Sequence, residues 1–480
     1  MSTTLAFIVI VGFFALLLVV SYLSSRKSNS ETFFTGNRRS PWYLVAFGMI
    51  GATISGVTFI SVPGEVGSSG WTYLQFLLGN FVGYWVIAMV LIPLYYKLNL
   101  VSIYTYLEKR FGTNSYKTGS FFFLVSQTIG ASFRMYLVSG VLQVAFFNAV
   151  GIPFWATVLF TIFMIWLYTF KAGIKTVVWT DSLQTLFILL SLGLTIIVIS
   201  KQFNLGFGSL VKVIDEHPYS TIFDWDWKSG TNFFKQFLAG LGIVIVMNGL
   251  DQNMMQKSLT CKNQKEAQKN LFWFSFAFII ANILFLSLGV MLYYYAAQKG
   301  IQLPEKSDDL FPTLALHHFG VYAGVLFLLG ITAAAYSSAD SALTALTTSF
   351  CIDFLKLDPA SPTSKKKRFI VHVGFSFIMF LVIILFRIIN DDSVVNAVFT
   401  VAGYTYGPLL GLFAFGMFTK KAVKDKFVPM IGVLSPILCY VIDKNSEVLL
   451  GGYKFGFELL LLNGFLTFIG LLIISKKQNP

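Results

Sequence analysis

Charge is scarce in this chain. Only 12% of its 480 residues are Asp, Glu, Lys or Arg, too few to clothe the two or three soluble domains that such a length would otherwise allow. Cysteine is nearly absent: Cys261, Cys351 and Cys439 lie in or beside apparent cytoplasmic loops and in a late apolar run, so no disulfide framework is implied. The four histidines show no metal-ligand spacing, and His317–His318 reads as an ordinary loop pair. There is no GxxxxGK phosphate loop, which argues against an ATP-driven pump. No nucleophile–base pair or metal set is visible either, so an enzyme is not expected. Short polar segments leave no linker to an appended kinase or nucleotide-binding domain.

What is present is apolar. Hydrophobic residues make up 56% of the chain and the mean hydropathy is +0.72. Runs near twenty residues recur from end to end, each able to cross a bilayer as a helix. We count about thirteen, at roughly 5–23, 42–70, 71–96, 117–148, 152–170, 174–200, 233–257, 270–297, 320–352, 367–388, 393–418, 427–443 and 457–475. The expected fold class is therefore an all-α polytopic membrane protein. The net charge of +13, which would suggest nucleic acid for a soluble chain, here follows the positive-inside pattern. Basic residues gather in RKSNSETFFTGNRRS (26–40), YLEKRFGTNSYK, KSLTCKNQKEAQK, DPASPTSKKKR, KKAVKDK and the tail SKKQNP. These are assigned to the cytoplasmic side, with the N-terminus outside and the C-terminus inside. The first run lacks a basic start and a small-residue cleavage site and is followed by Arg26 and Lys27, so it reads as a retained span. Residues 202–232, with Asp215, Glu216, Asp224 and Asp226, form the longest polar loop and are expected outside.

The most informative stretch is 321–356, VYAGVLFLLGITAAAYSSADSALTALTTSFCIDFLK. Ser337, Ser341, Thr344 and Thr348 share one helical face at i, i+4, i+7 and i+11. Ser338 lies beside the stripe, Ala334 one turn before it, and Asp340 one turn after Ser337. Hydroxyls bonding back to their own i−4 carbonyls would explain one or two such residues. A stripe of them with a carboxylate better suits a small hard cation inside a helical bundle. In the second span, GMIGATISGVTFIS places Gly48, Gly51 and Gly56 among Thr53, Ser55 and Thr58. That composition fits either a helix break that frees carbonyl ligands or close packing through small residues. Arg134 stands within the fourth span, where a guanidinium must find a carboxylate, carbonyls or a ligand.

Several segments together resemble the sodium/solute symporter family: TGNRRSPW before the second span, LVSIYTYLEKRFG after the third, GIKTVVWTDSLQ opening the sixth, GLDQNMMQKSLTCKNQKEAQK closing the seventh, and AAAYSSADSALTALTTSFCIDFL in the ninth. They cover both halves in the family's order. The resemblance implies a leucine-transporter-like core of two inverted five-helix repeats. The division would be 1–40 for an extra span and cytoplasmic loop, 41–201 for the first repeat, 202–232 for an external loop, 233–420 for the second repeat, and 421–480 for two final spans. It further implies a common sodium site at the carbonyls of Gly51, Ile54 and Ala334 and the hydroxyls of Ser337 and Ser338. A second sodium would fall near Asp181, with Ser337, Ser341 and Asp340; this chain has Asp340 where a hydroxyl residue is expected.

FISVPGEVGSSGWTYLQF resembles the branches carrying iodide, monocarboxylates and vitamins more than the sugar carriers. Arg134 either pairs with an acid such as Asp181 or Asp340 or clamps a substrate carboxylate, as in the sialic-acid carriers of the family. Substrate candidates are Arg134, Thr53, Thr58, Asn248, Asp251 and Gln252. The function implied is sodium-coupled import of a small organic solute, an anion by preference, across the cell (inner or plasma) membrane by alternating access. Na+, the solute and the bilayer are the expected partners, with no nucleic acid. The sequence leaves the oligomeric state open, a monomer included. Alternatives are the same fold carrying a neutral sugar or amino acid, proton coupling through Asp181 or Asp340, and an uncoupled channel or sensor.

Overall fold

The computed structural model describes residues 3–25, 35–169, 173–357, 362–389 and 394–476. Parts of three expected cytoplasmic segments, 26–34, 358–361 and the tail 477–480, lie outside the described residues. Helices dominate: α1 Thr3–Ser25, α2 Trp42–Thr53, α3 Gly56–Ser69, α4 Tyr73–Val86, α5 Thr113–Leu142, α6 Phe154–Thr169, α7 Gly173–Gln202 and α8 Phe233–Val244. They continue with α9 Gln252–Ser258, α10 Gln264–Lys299, α11 Val321–Ser349, α12 Pro362–Ile389, α13 Val394–Thr405, α14 Gly407–Phe418, α15 Val428–Lys444 and α16 Leu459–Ile473.

Among the described residues, eight helices are long and apolar enough to cross a membrane, and up to eleven spans result if each of three bent pairs counts as one. Two shorter apolar helices, Phe154–Leu167 and Leu459–Ile473, add to these. The expected thirteen is reached only if both also cross. At about 1.5 Å per residue they are short of a ~30 Å hydrocarbon core.

The three bends position the interior. The pair α2/α3 turns by 57°, the segment Phe233–Gly249 with Gln252–Ser258 by 70°, and Asn396–Thr405 with Gly407–Phe418 by 47°. Glycines and hydroxyls in the second span thus mark a break as well as close packing. At the first bend Ile54 (φ −74°, ψ 77°) and Ser55 (φ −74°, ψ 176°) leave helical geometry. The Ser55 amide then turns to Thr53 O at 2.9 Å instead of reaching Gly51 O. At the second, Asp251 is extended and caps α9, its Oδ1 accepting from the amides of Asn253 (2.8 Å) and Met254 (3.3 Å). This satisfies two of the donors that a helix start leaves open. The third bend falls at Tyr406–Gly407, inside a run that the sequence reading treats as one straight span.

Helix α7 is the keel. It packs along α11 on one side and α2 on the other. Contact with α2 is close because Gly51 has no side chain: its amide donates to Thr185 Oγ1 at 2.9 Å, and a Cβ there would collide with that hydroxyl. Lipid-facing surfaces stay apolar. Phe163, Leu190, Ile197, Phe276, Ile280, Phe377 and Leu385 are among the large exposed hydrophobics, as a bilayer solvent requires.

Candidate transport site

Where α11 crosses the α2/α3 break, the stripe residues point to two neighbouring positions. Ser338 Oγ donates to Ala52 O at 3.3 Å, between Gly51 and Ile54, so the proposed common-site residues on both elements meet at one crossing. Ser337 Oγ instead donates to Asp181 Oδ1 on α7 at 2.6 Å. Ser341 bonds Asp340 Oδ1 at 3.1 Å and lies close to Asp181 as well. The residues named for a second cation (Asp181, Ser337, Asp340 and Ser341) therefore cluster, all fully or nearly fully buried.

A residue that sequence reading overlooked completes this cluster. Lys257, near the end of α9, is fully buried and its Nζ lies 2.7 Å from Asp181 Oδ2. KSLTCKNQKEAQK reads as a cytoplasmic loop, but its first residues belong to the broken span. The carboxylate of Asp181 explains why: a buried charge is tolerable when a partner of opposite charge is supplied. Asp181 is thereby paired with Lys257 and not with Arg134, the partner considered from sequence.

Beside these positions, the first two breaks open onto a cavity of about 110 Å³. Arg134, Thr53, Thr58, Asn248 and Asp251 all line it. Gln252 does not: its amide grips the Val101 carbonyl (2.8 Å) and the Ile103 amide (2.9 Å), tying α9 to the segment after α4. Asn80, Tyr84 and Gln127, not singled out from sequence, also face the cavity, with Phe76 and Phe399 as apolar walls. Their signal was weak, since polar residues on helices are ordinary one at a time. Arg134 makes no ion pair among the described residues. The one carboxylate facing it in the cavity, Asp251, caps α9 and accepts the Tyr406 hydroxyl at 2.8 Å.

Hydrogen bonds from tyrosines after α4 hold the chain where the π turn Ile245–Gly249 gives way to α9. Tyr95 OH donates to Gly249 O at 2.7 Å and Tyr104 OH to Leu250 O at 3.0 Å. With the Gln252 clamp they tie the 249–252 segment to the chain between α4 and α5. Among the described residues Thr53 Oγ1 and Asn248 Oδ1 are buried without hydrogen-bond partners, the condition expected of groups waiting for a ligand.

The profile of the Sodium:solute symporter family matches residues 33–427, most of the chain. The chain belongs to that family. It is a sodium-coupled symporter and not an enzyme. Relatives include a sodium/sialic acid symporter of Aliivibrio fischeri, 27% identical over 463 residues that cover 90% of this chain and 86% of the relative. The human sodium/iodide cotransporter is 27% identical over 427 residues, 85% of this chain and 65% of that protein. In fold, the chain is similar to a substrate-bound, outward-open Na+-coupled sialic acid symporter, with a TM-score of 0.83 at 22% identity over 98% of this chain and 99% of that one. A closed nucleobase-cation symporter gives a TM-score of 0.58 at 11% identity, over 92% and 93% of the two chains. The expected leucine-transporter-like fold is thus present, and the symporter is a multi-pass membrane protein.

Proposed function

We propose that this symporter imports a small organic anion, with the Arg134 guanidinium gripping its carboxylate. The observation that carries this reading is an arginine inside the cavity at the two broken spans, with no ion-pair partner among the described residues. A guanidinium in a membrane interior is costly unless compensated, and its planar fork matches a carboxylate in two places. Thr53, Thr58 and Asn248 supply further polar contacts to the solute, and Phe76 and Phe399 its apolar walls. That relatives are named for sialic acid and iodide is consistent with an anion.

Sodium binds at the α2/α3 break, to the carbonyls of Gly51, Ile54 and Ala334 and the hydroxyls of Ser337 and Ser338. At the second position the Lys257 ammonium stands where another sodium would neutralise Asp181, so the coupling ratio is one sodium per cycle. The two inverted repeats, 41–201 and 233–420, rock about these sites, with residues 202–232 and the N-terminus outside, the basic loops and C-terminus in the cytoplasm, and the chain in the cell membrane.

Arg134→Lys tests the anion reading. The charge stays but the two-pronged grip is lost, and we expect solute affinity to fall at least tenfold while sodium-dependent stabilisation of the purified protein persists. Thermal-shift titration of monocarboxylates and acidic sugars against neutral sugars, with and without sodium, measures both. Stabilisation by a neutral solute, unchanged by Arg134→Lys, overturns the anion assignment.

A further inference from the structure

A second buried carboxylate lies at the other end of α11. The helix continues as a π turn, Phe350–Phe354, and Asp353 within it is fully buried. Its Oδ1 accepts the Tyr116 hydroxyl at 2.7 Å and its Oδ2 the Ser349 hydroxyl at 2.5 Å. Two more hydroxyls, Ser102 on the segment after α4 and Ser120 on α5, are near enough to act on the same carboxylate. Both are buried, and among the described residues neither hydroxyl has a hydrogen-bond partner other than this carboxylate. No cation pairs with Asp353 among the described residues. Lys356 is turned away over the Tyr116 ring, 4.4 Å from its centre, and bonds Glu108 at 3.3 Å.

We propose that Asp353, Ser349, Ser102, Ser120 and Tyr116 form a binding site for a monovalent cation of sodium size, separate from the transported sodium. Six hard oxygens from three chain segments converge there, and one carboxylate balances one unit of charge. Hydroxyls accept as readily as they donate. Those now turned to Asp353 can turn their lone pairs towards an ion. Oxygen-only donor sets of this kind select hard cations over transition metals. The site joins α11 and α5 to the segment whose Val101 and Ile103 are clamped by Gln252. An ion bound there braces the seam where Gln252 holds this segment. This site rests on neither the anion reading nor the coupling ratio proposed above.

The test is sodium-dependent stabilisation of the purified full-length protein, with sodium chloride titrated against choline chloride at constant ionic strength. In the Ser337→Ala/Ser338→Ala background, which disables the common sodium site, a sodium-dependent rise in Tm should remain. Asp353→Asn added to that background should abolish it. Should Asp353→Asn fail to fold, Ser120→Ala in the same background should raise the sodium midpoint several-fold. The proposal is overturned if the double serine variant shows no sodium response, or if its response is unchanged by Asp353→Asn or Ser120→Ala. It is also overturned if stability in that background follows pH at fixed sodium and ignores the sodium concentration, which would make Asp353 a protonated acid.

Discussion

Asp181 and Asp353 are both carboxylates buried against α11 or its continuation, yet the protein treats them differently. Asp181 receives an ammonium, Lys257 Nζ at 2.7 Å, together with one serine hydroxyl. Asp353 receives hydroxyls alone. The common sodium position has neither a carboxylate nor a protein cation among its proposed ligands, only carbonyls and hydroxyls. Charge compensation therefore sorts the interior. Where the chain furnishes its own cation a side chain occupies the position, and where it furnishes oxygens but no cation the proposed ion comes from solution.

The largest effect that can break this comparison comes from removing the internal cation. Lys257→Met leaves Asp181 as a buried charge without its partner, a change worth about 3–5 kcal/mol when one member of such a pair is lost. We expect a pronounced fall in Tm at low sodium. Lys257→Met/Asp181→Asn should recover much of it, because both charges are then gone. If the ammonium truly occupies a cation position, high sodium should also rescue the single variant and steepen its sodium dependence, from a slope near one in the unmodified protein. A single variant as stable as the unmodified protein at every sodium concentration would show that the ion pair does not serve this role.

How far these features could be read beforehand depends on how local their causes are. Hydropathy is a property of a short window, so the spans, the stripe at Ser337–Thr348 and the glycine-rich break were legible from sequence. Lys257 was not, because its position is decided by Asp181 on another helix. In the sequence it sits where an apolar run gives way to basic residues, and the bias of loops towards lysine assigns it outward. Gln252 sits beside Asp251 at the break, but the unwound turn sends the two side chains to different places, one to the cavity and one to the Val101–Ile103 segment. The bend at Tyr406 had a signal that was passed over, Gly407 followed by Pro408, since proline fits the first turn of a new helix. What it achieves, bringing the Tyr406 hydroxyl to Asp251, required the fold. The inverted repeat division likewise came from family resemblance, as no residue period in the chain displays it.

An intermediate effect sharpens the other side of the comparison. Ser338→Ala deletes one oxygen from a position already rich in them, so sodium activation should weaken only several-fold, roughly 1 kcal/mol in binding. Ser337→Ala/Ser338→Ala should raise the sodium midpoint well beyond tenfold. Part of that loss is indirect, because Ser337 also donates to Asp181. Adding Lys257→Met and Asp181→Asn to Ser337→Ala separates the two contributions: only the direct one survives once the Asp181 charge is gone. Sodium-dependent uptake into proteoliposomes reads these midpoints. Unchanged activation in the double serine variant would place the transported sodium elsewhere.

The smallest effect concerns a carboxylate that hydroxyls hold in contact with water. Asp224, in the polar segment 202–232, accepts the Thr231 hydroxyl at 2.6 Å and the Asp226 amide at 2.9 Å. Partial burial by itself would raise its carboxyl, but the hydrogen bonds from Ser229, Thr231 and the Asp226 amide outweigh that and hold it below the ordinary carboxylate value. A depressed value in the folded state means the contribution is full above the unfolded pKa, about 3.9, and is lost as pH falls through the lower folded one. Asp224→Asn should cost less than about 1 kcal/mol at neutral pH. It should speed amide exchange across residues 222–233 and leave global Tm and sodium activation unmoved. Lowering the pH through the depressed folded value should reproduce the loss of protection in the unmodified protein, with rates corrected for intrinsic exchange at each pH, while Asp224→Asn shows no further change. A Tm loss as large as that of Lys257→Met would undo the contrast, since hydroxyls near water would then hold a charge as firmly as a buried ammonium does.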